Sequence, residues 1–151
     1  MEIILKPIAT VSNSRKEPVD DHWSEIISTI TLSDHVPSEA FNHIEAFSHL
    51  EIIFFMNQVK NDNVIFCGRP RGNPNYPLVG IFGQRKKDRP NQIGLCTVEL
   101  LAHQDRWIKV KNLDAIDGTP ILDIKPVFKE FKPAGEIQQP LWVADLMKNY
   151  W

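Results

Sequence analysis

The sequence predicts an all-β fold, a barrel with one or two short peripheral helices. Short segments rich in Val, Ile, Thr and aromatic residues recur along the chain. Turn chemistry built on Pro, Gly, Asn and Asp separates them. The apolar segment long enough for a helix, residues 47–59, is biased towards Ile and Phe, which favours a strand. About eight short strands with turns between them argue for closure into a barrel.

Residues 3–11 carry β-branched side chains and one proline, Pro7, which suits an edge strand because proline cannot donate to a ladder. Residues 12–24 are polar and hold the cluster Asp20, Asp21, His22 and Trp23. A tryptophan ring is normally buried, so Trp23 either caps the barrel end or meets a ligand. Residues 26–32 alternate, with Ile26, Ser28, Ile30 and Leu32 offset from Ile27, Thr29 and Thr31, and form a second strand. Residues 37–42 make a turn or a single helical turn before Ile44, Glu45 and Ala46.

Residues 47–59, FSHLEIIFFMNQV, form a central strand. His49 has no second histidine at ligand spacing and reads as a half-buried histidine rather than a metal ligand. Asn57 and Gln58 are polar where this strand emerges, and are candidates for hydrogen bonding at the rim. A turn at Asn61 to Asn63 and a short strand at 64–67 follow. The loop 69–77 contains Pro70, Gly72, Pro74 and Pro77, which make it irregular but stiff.

Strands at 79–82 and 93–101 bracket a basic loop. Gly94 stands where a side chain would obstruct another backbone or a ligand. Residues 107–113 alternate cleanly, DAIDGTP at 114–120 is a turn built on Asp117 and Gly118, and 121–125 is one more strand. From Pro126 the chain is irregular to Pro140, after which LWVADLMKNYW suits a short terminal helix. There is no repeat, linker or low-complexity segment, so residues 1–151 are expected to form one domain.

Composition sets the bounds. With 42% hydrophobic and 24% charged residues in 151, the chain can bury a real core. The longest apolar run, Ile52 to Met56, is too short to cross a bilayer, and the N-terminus lacks the pattern of a leader, so a soluble, cytoplasmic protein is expected. Cys67 and Cys96 form no CxxC or Cys/His pattern, so both are expected to be buried thiols and no metal is expected.

A net charge of −2 does not advertise a nucleic-acid binder. Local charge differs: between 69 and 89 stand Arg69, Arg71, Arg85, Lys86, Lys87 and Arg89, against Asp88 alone. A loop of this kind, tied at both ends to strands, either holds amides and guanidinium groups around an anion or is a solvated basic tip.

Several motifs, in order, carry a resemblance. They are Phe47-Ser48-His49-Leu50; Gly80-Ile81-Phe82 with Arg85; Arg89-Pro90-Asn91 with Ile93-Gly94-Leu95; and Asp117-Gly118-Thr119-Pro120 followed by Leu122-Asp123-Ile124-Lys125-Pro126. With them the chain resembles the TrmO family, also called TsaA-like or YaeB-like, from Pro7 to Trp151.

The resemblance implies a dimeric β-barrel methyltransferase that uses S-adenosylmethionine, bound near the subunit interface. The family activity is N6-methylation of threonylcarbamoyladenosine beside the tRNA anticodon. The implied cofactor contacts are Asp21, His22 and Trp23; Asn57 and Gln58; Arg85; Arg89, Pro90, Asn91, Gly94 and Leu95; and Asp117, Gly118, Thr119 and Pro120. Arg85 suits the methionyl carboxylate, the backbone of 90–95 suits adenine, and Asp117 and Thr119 suit ribose hydroxyls or the methionyl amine.

Arg69, Arg71, Lys86 and Lys87, with Arg89, are the candidates for holding tRNA phosphates around a splayed base. No general base is identified, Asp21 and His22 being the only suggestions.

The chain departs from the family pattern at several points. Lys86 and Lys87 replace a Ser-Pro-like pair, Gln92 a proline, Asn57 a histidine, Val127 a tyrosine, and Asp20-Asp21-His22-Trp23 a Pro-Arg-Gln loop. The chain stops where longer members continue into a second domain, and so is expected to be a short, single-domain branch in which the cofactor is implied more firmly than the substrate. A methyltransferase acting on a small molecule and a non-catalytic cofactor-binding module stand as alternatives.

Overall fold

In a computed structural model, which describes residues 1–60, 62 and 64–151, six strands close an antiparallel barrel in the order β1-β2-β7-β6-β3-β8. The strands are β1 (Ala9–Ser12), β2 (Ile27–Leu32), β3 (His49–Phe55), β4 (Cys67–Gly68), β5 (Val79–Gly80), β6 (Ile93–Gln104), β7 (Trp107–Lys111) and β8 (Pro120–Pro126). β4 and β5 form a separate two-stranded sheet. One α-helix, α1 (Leu141–Leu146), joins a series of 3-10 turns among the described residues.

Period-two alternation fills the interior. Val11, Ile30, Leu50, Ile52, Val98, Ile108, Val110 and Ile121 all point inward and are buried. Each contributes roughly 1.5–3 kcal/mol by leaving water. On β2 the set Ser28, Ile30 and Leu32 faces in, while Ile27 faces solvent.

The strands differ from expectation at their ends. The first begins only at Ala9, because β1 pairs with β8 at Ala9–Ile121 and Thr10–Pro120 and Pro7 has no N–H to extend the ladder. Ile3, Ile4 and Leu5 are therefore exposed. β3 ends at Phe55, where Asn57 N–H turns back onto the Phe55 carbonyl. The short strand expected at 64–67 is Cys67–Gly68, and the one at 79–82 ends at Gly80, giving way to a 3-10 turn at Ile81–Gly83. The next runs on to Gln104 through a tight hairpin at Asp105. The turn expected at Asn61 to Asn63 lies outside the described residues.

Cys67 is exposed, not buried, since β4 and β5 stand apart from the barrel; Cys96 is buried in it. His49 is also exposed, with Nδ1 2.8 Å from the Ser48 hydroxyl.

Gly94 is required by packing. A Cβ built there would meet the buried Phe54 ring at 2.3 Å, so a side chain of the neighbouring strand is enough to exclude one at this position. Gly94→Ala should destabilise the fold by about 1–3 kcal/mol, the usual cost of overpacking a core. Thermal unfolding measures this, and an unchanged midpoint would mean that Phe54 moves freely.

Candidate functional site

Neighbouring barrel strands all run antiparallel, so the connections that follow β1, β3 and β7 leave from one end. These are residues 13–26, 56–92 and 112–119. Each residue that the resemblance assigns to the cofactor lies in one of them or in the first positions of β6 and β8. The arginine-rich turn and the Asp-Gly-Thr-Pro corner thus share an end of the molecule. No hydrogen bond among the described residues joins the two directly.

The corner is a tight turn. Thr119 N–H bonds the Ile116 carbonyl at 3.2 Å with Gly118 at φ 78, a value that favours glycine. It is sewn to β1: Gly118 N–H reaches the Val11 carbonyl at 2.8 Å, and Val11 N–H the Thr119 carbonyl at 3.0 Å. Asp117 accepts from Lys16 Nζ at 2.5 Å and from Asn13 N–H at 2.9 Å. Lys16 first, and then Asn13, hold its carboxyl below the usual range. Thr119 is buried and Pro120 opens β8.

Asp21 is likewise engaged. Its carboxylate meets Arg71 at 2.8 and 3.3 Å, and this pairing raises the Arg71 pKa. Arg15 donates to the carbonyls of Asp21 and His22 and lies 4.4 Å over the Trp23 ring. Trp23 is buried, with Nε1 3.3 Å from the Asp20 carbonyl, which makes it a packing residue of the loop. Arg69 donates to the Tyr76 carbonyl. Arg69 therefore braces its own loop and Arg71 ties that loop to the 13–26 connection, whereas Lys86 makes no ion pair among the described residues and Lys87 approaches Asp88 only at 3.8 Å.

On the other side, Arg89 donates to the Gln84 carbonyl at 2.9 Å, behind Pro90 and the exposed Asn91 at φ 61. Gln92 is buried at φ 52, a value closed to proline. Its Nε2 donates to the Val59 carbonyl at 2.6 Å and to Met56 at 3.3 Å, closing the turn that exposes Asn57 and Gln58. Arg85 is exposed and donates to the Leu95 carbonyl at 2.6 Å. No ion pair among the described residues involves it.

Two residues that the sequence reading passed over complete this end. Tyr150 donates its hydroxyl to Asp114 Oδ2 at 2.5 Å, while Asp114 Oδ1 is buried without a hydrogen-bond partner among the described residues. Burial first, and then the Asp114 charge, push the Tyr150 hydroxyl well above its ordinary range, with Arg85 near enough to oppose the shift. Burial and Asp114 do the same to the Cys96 thiol, which donates to the Asn112 carbonyl at 2.9 Å. Asp114 stood in the DAIDGTP stretch, where only the turn residues carried a signal. Tyr150 had none, since its partner is distant in sequence.

The terminal segment binds all three loops. Asn149 and Tyr150 carbonyls accept from His22 and Trp23 N–H at 2.9 and 2.8 Å, and Tyr76 donates to Asp145 at 2.5 Å. A cavity of about 380 Å³ lies at the opposite end, between Ile8, Leu32, Phe41, Ile44, Phe47 and Ile124. Asn42, His43 and Asp123 also line it, but no position that the resemblance assigns to the cofactor does. Among the described residues no group of three or more His, Cys, Asp or Glu side chains could hold a metal ion. No helix among them is long and apolar enough to cross a membrane.

Comparison with known proteins bears on this arrangement. The model of the family described as tRNA-methyltransferase O N-terminal domain matches residues 9–132. The chain belongs to that family. An S-adenosyl-L-methionine-binding protein of Archaeoglobus fulgidus is 33% identical over 91% of this chain and 100% of its own length. The tRNA (adenine(37)-N6)-methyltransferase of Escherichia coli is 40% identical over 63% of this chain, which spans 42% of that enzyme. The crystal structure of TrmO from Pseudomonas aeruginosa superposes with a TM-score of 0.75 at 22% identity, over 93% of this chain and 63% of that one. The barrel is thus the family fold. A buried carboxylate oxygen without a donor, and a guanidinium without a carboxylate, suit the polar end of S-adenosylmethionine.

Proposed function

We propose that this chain is an S-adenosylmethionine-dependent methyltransferase that acts on the N6 of adenosine beside the tRNA anticodon, with threonylcarbamoyladenosine as the acceptor. The observation that carries the reading is the gathering of every assigned cofactor position at one barrel end in a chain of this family. Bound there, S-adenosylmethionine would supply an electrophilic methyl carbon: the aligned N6 nitrogen would bond to it as the C–S bond breaks, S-adenosylhomocysteine would leave as a thioether, and the N6 proton would pass to solvent, with no metal needed. Arg85 holds the carboxylate, and the backbone of the 90–95 turn faces adenine. Lys86 and Lys87 meet phosphate on the acceptor side.

A homodimer belongs to the same reading. Around the β4–β5 pair, Phe66, Leu78 and Phe82 are 64, 65 and 81% exposed, an apolar surface suited to a second copy. The cytoplasm, where tRNA is modified, is the expected location.

Nucleosides digested from tRNA of cells with and without this gene provide the test. The methylated form of the modified adenosine should disappear without it; an unchanged profile sinks the tRNA reading. A small-molecule acceptor is the second reading, favoured by the engagement of Arg69 by the Tyr76 carbonyl and of Arg71 by Asp21, which leaves a modest basic rim for a folded RNA.

A further inference from the structure

Acidic groups at the candidate site end are mostly spoken for. Asp117 serves Lys16 and Asn13, Asp21 serves Arg71, and Asp145 serves Tyr76. Asp114 differs: one carboxylate oxygen takes the Tyr150 hydroxyl, and the other is buried and accepts no hydrogen bond among the described residues. A desolvated, half-used carboxylate is costly unless something completes it.

Arg85 is the matching half. It is fixed to the Leu95 carbonyl, one residue before Cys96, whose thiol is bonded to Asn112, two residues before Asp114. Asp114 and Arg85 both act on the Tyr150 hydroxyl and on the Cys96 thiol, which sets the carboxylate and the guanidinium around the same two groups, yet no ion pair joins them. An α-amino acid carries its ammonium and its carboxylate on one carbon. It needs this combination: two opposite charges close together, each with donors or acceptors to spare.

We propose that Asp114, oriented by Tyr150, receives the α-ammonium of the cofactor's methionyl end while Arg85 takes the carboxylate of the same group. The assignment rests on the cofactor reading above and moves the ammonium from Asp117 or Thr119 to Asp114. Tyr150 is a positioning residue. Its hydroxyl fixes the carboxylate, and its own place is set by the Trp23 N–H on its carbonyl at 2.8 Å.

Calorimetry on wild type, Asp114→Asn and Tyr150→Phe with three ligands tests the assignment. S-adenosylmethionine and S-adenosylhomocysteine both carry the amino acid; 5′-methylthioadenosine keeps the adenosyl thioether without it. Asp114→Asn should weaken the first two by about 10- to 100-fold, and Tyr150→Phe by about fivefold, with 5′-methylthioadenosine unchanged within about twofold.

Equal loss for all three ligands, or loss for none, overturns the assignment. Loss confined to S-adenosylmethionine also overturns it, since that places Asp114 at the sulfonium. Wild type that binds none of them refutes the cofactor reading itself and the assignment with it. If Asp114→Asn does not fold, Tyr150→Phe decides by the same comparison, because it keeps the ring and the bond to Trp23.

Discussion

Arg85→Ala should weaken S-adenosylmethionine binding by about 1.5–3 kcal/mol, roughly 10- to 150-fold, the range of a hydrogen bond to a charged partner. The guanidinium is exposed and holds one backbone carbonyl, that of Leu95. An exposed bond of this kind contributes little to folding, so the melting temperature of the ligand-free protein should stay nearly constant. Titration calorimetry and thermal unfolding on the same preparations separate the two roles. A clear fall in melting temperature with affinity intact would make Arg85 a pin between the basic loop and β6.

Gln92→Pro should cost roughly 4 kcal/mol of stability, although proline is what the family pattern has at this place. Proline is confined to φ near −65°, whereas Gln92 sits at φ 52. The substitution also deletes the Gln92 N–H bond to the Arg89 carbonyl at 3.2 Å. It removes the side-chain amide that satisfies Val59 and Met56 as well. For a chain of this size the midpoint should drop by about 8–16 °C. An unchanged or raised midpoint would show that the turn can adopt another path, with proline and without the amide.

Residues whose partners are near in sequence, or whose period is regular, were legible. Alternation at Leu50, Ile52 and Phe54, and at Ile108 and Val110, fixed which faces are buried. The loops around Asp117-Gly118 and Arg89-Pro90-Asn91 were marked by turn residues. What could not be read was the competition for charged groups. Asp21 and Arg71, both assigned to ligands, lie fifty positions apart and pair with each other. Trp23 suits either a cap or a ligand contact by its sequence, and its burial beneath Arg15 comes from a residue eight positions away with no periodic link to it. Asp114 and Tyr150 escaped because a long-range hydroxyl–carboxylate pair leaves no periodic trace.

The route to that pair has its own consequence. Val127 N–H is bonded to the His49 carbonyl at the cavity end of the barrel, while Asn149 and Tyr150 are bonded at the other, and residues 128–141 between them are exposed. A protease would find its easiest cut in that stretch. One nick there would leave all eight strands covalently whole and turn the last residues into a detachable peptide carrying Tyr150.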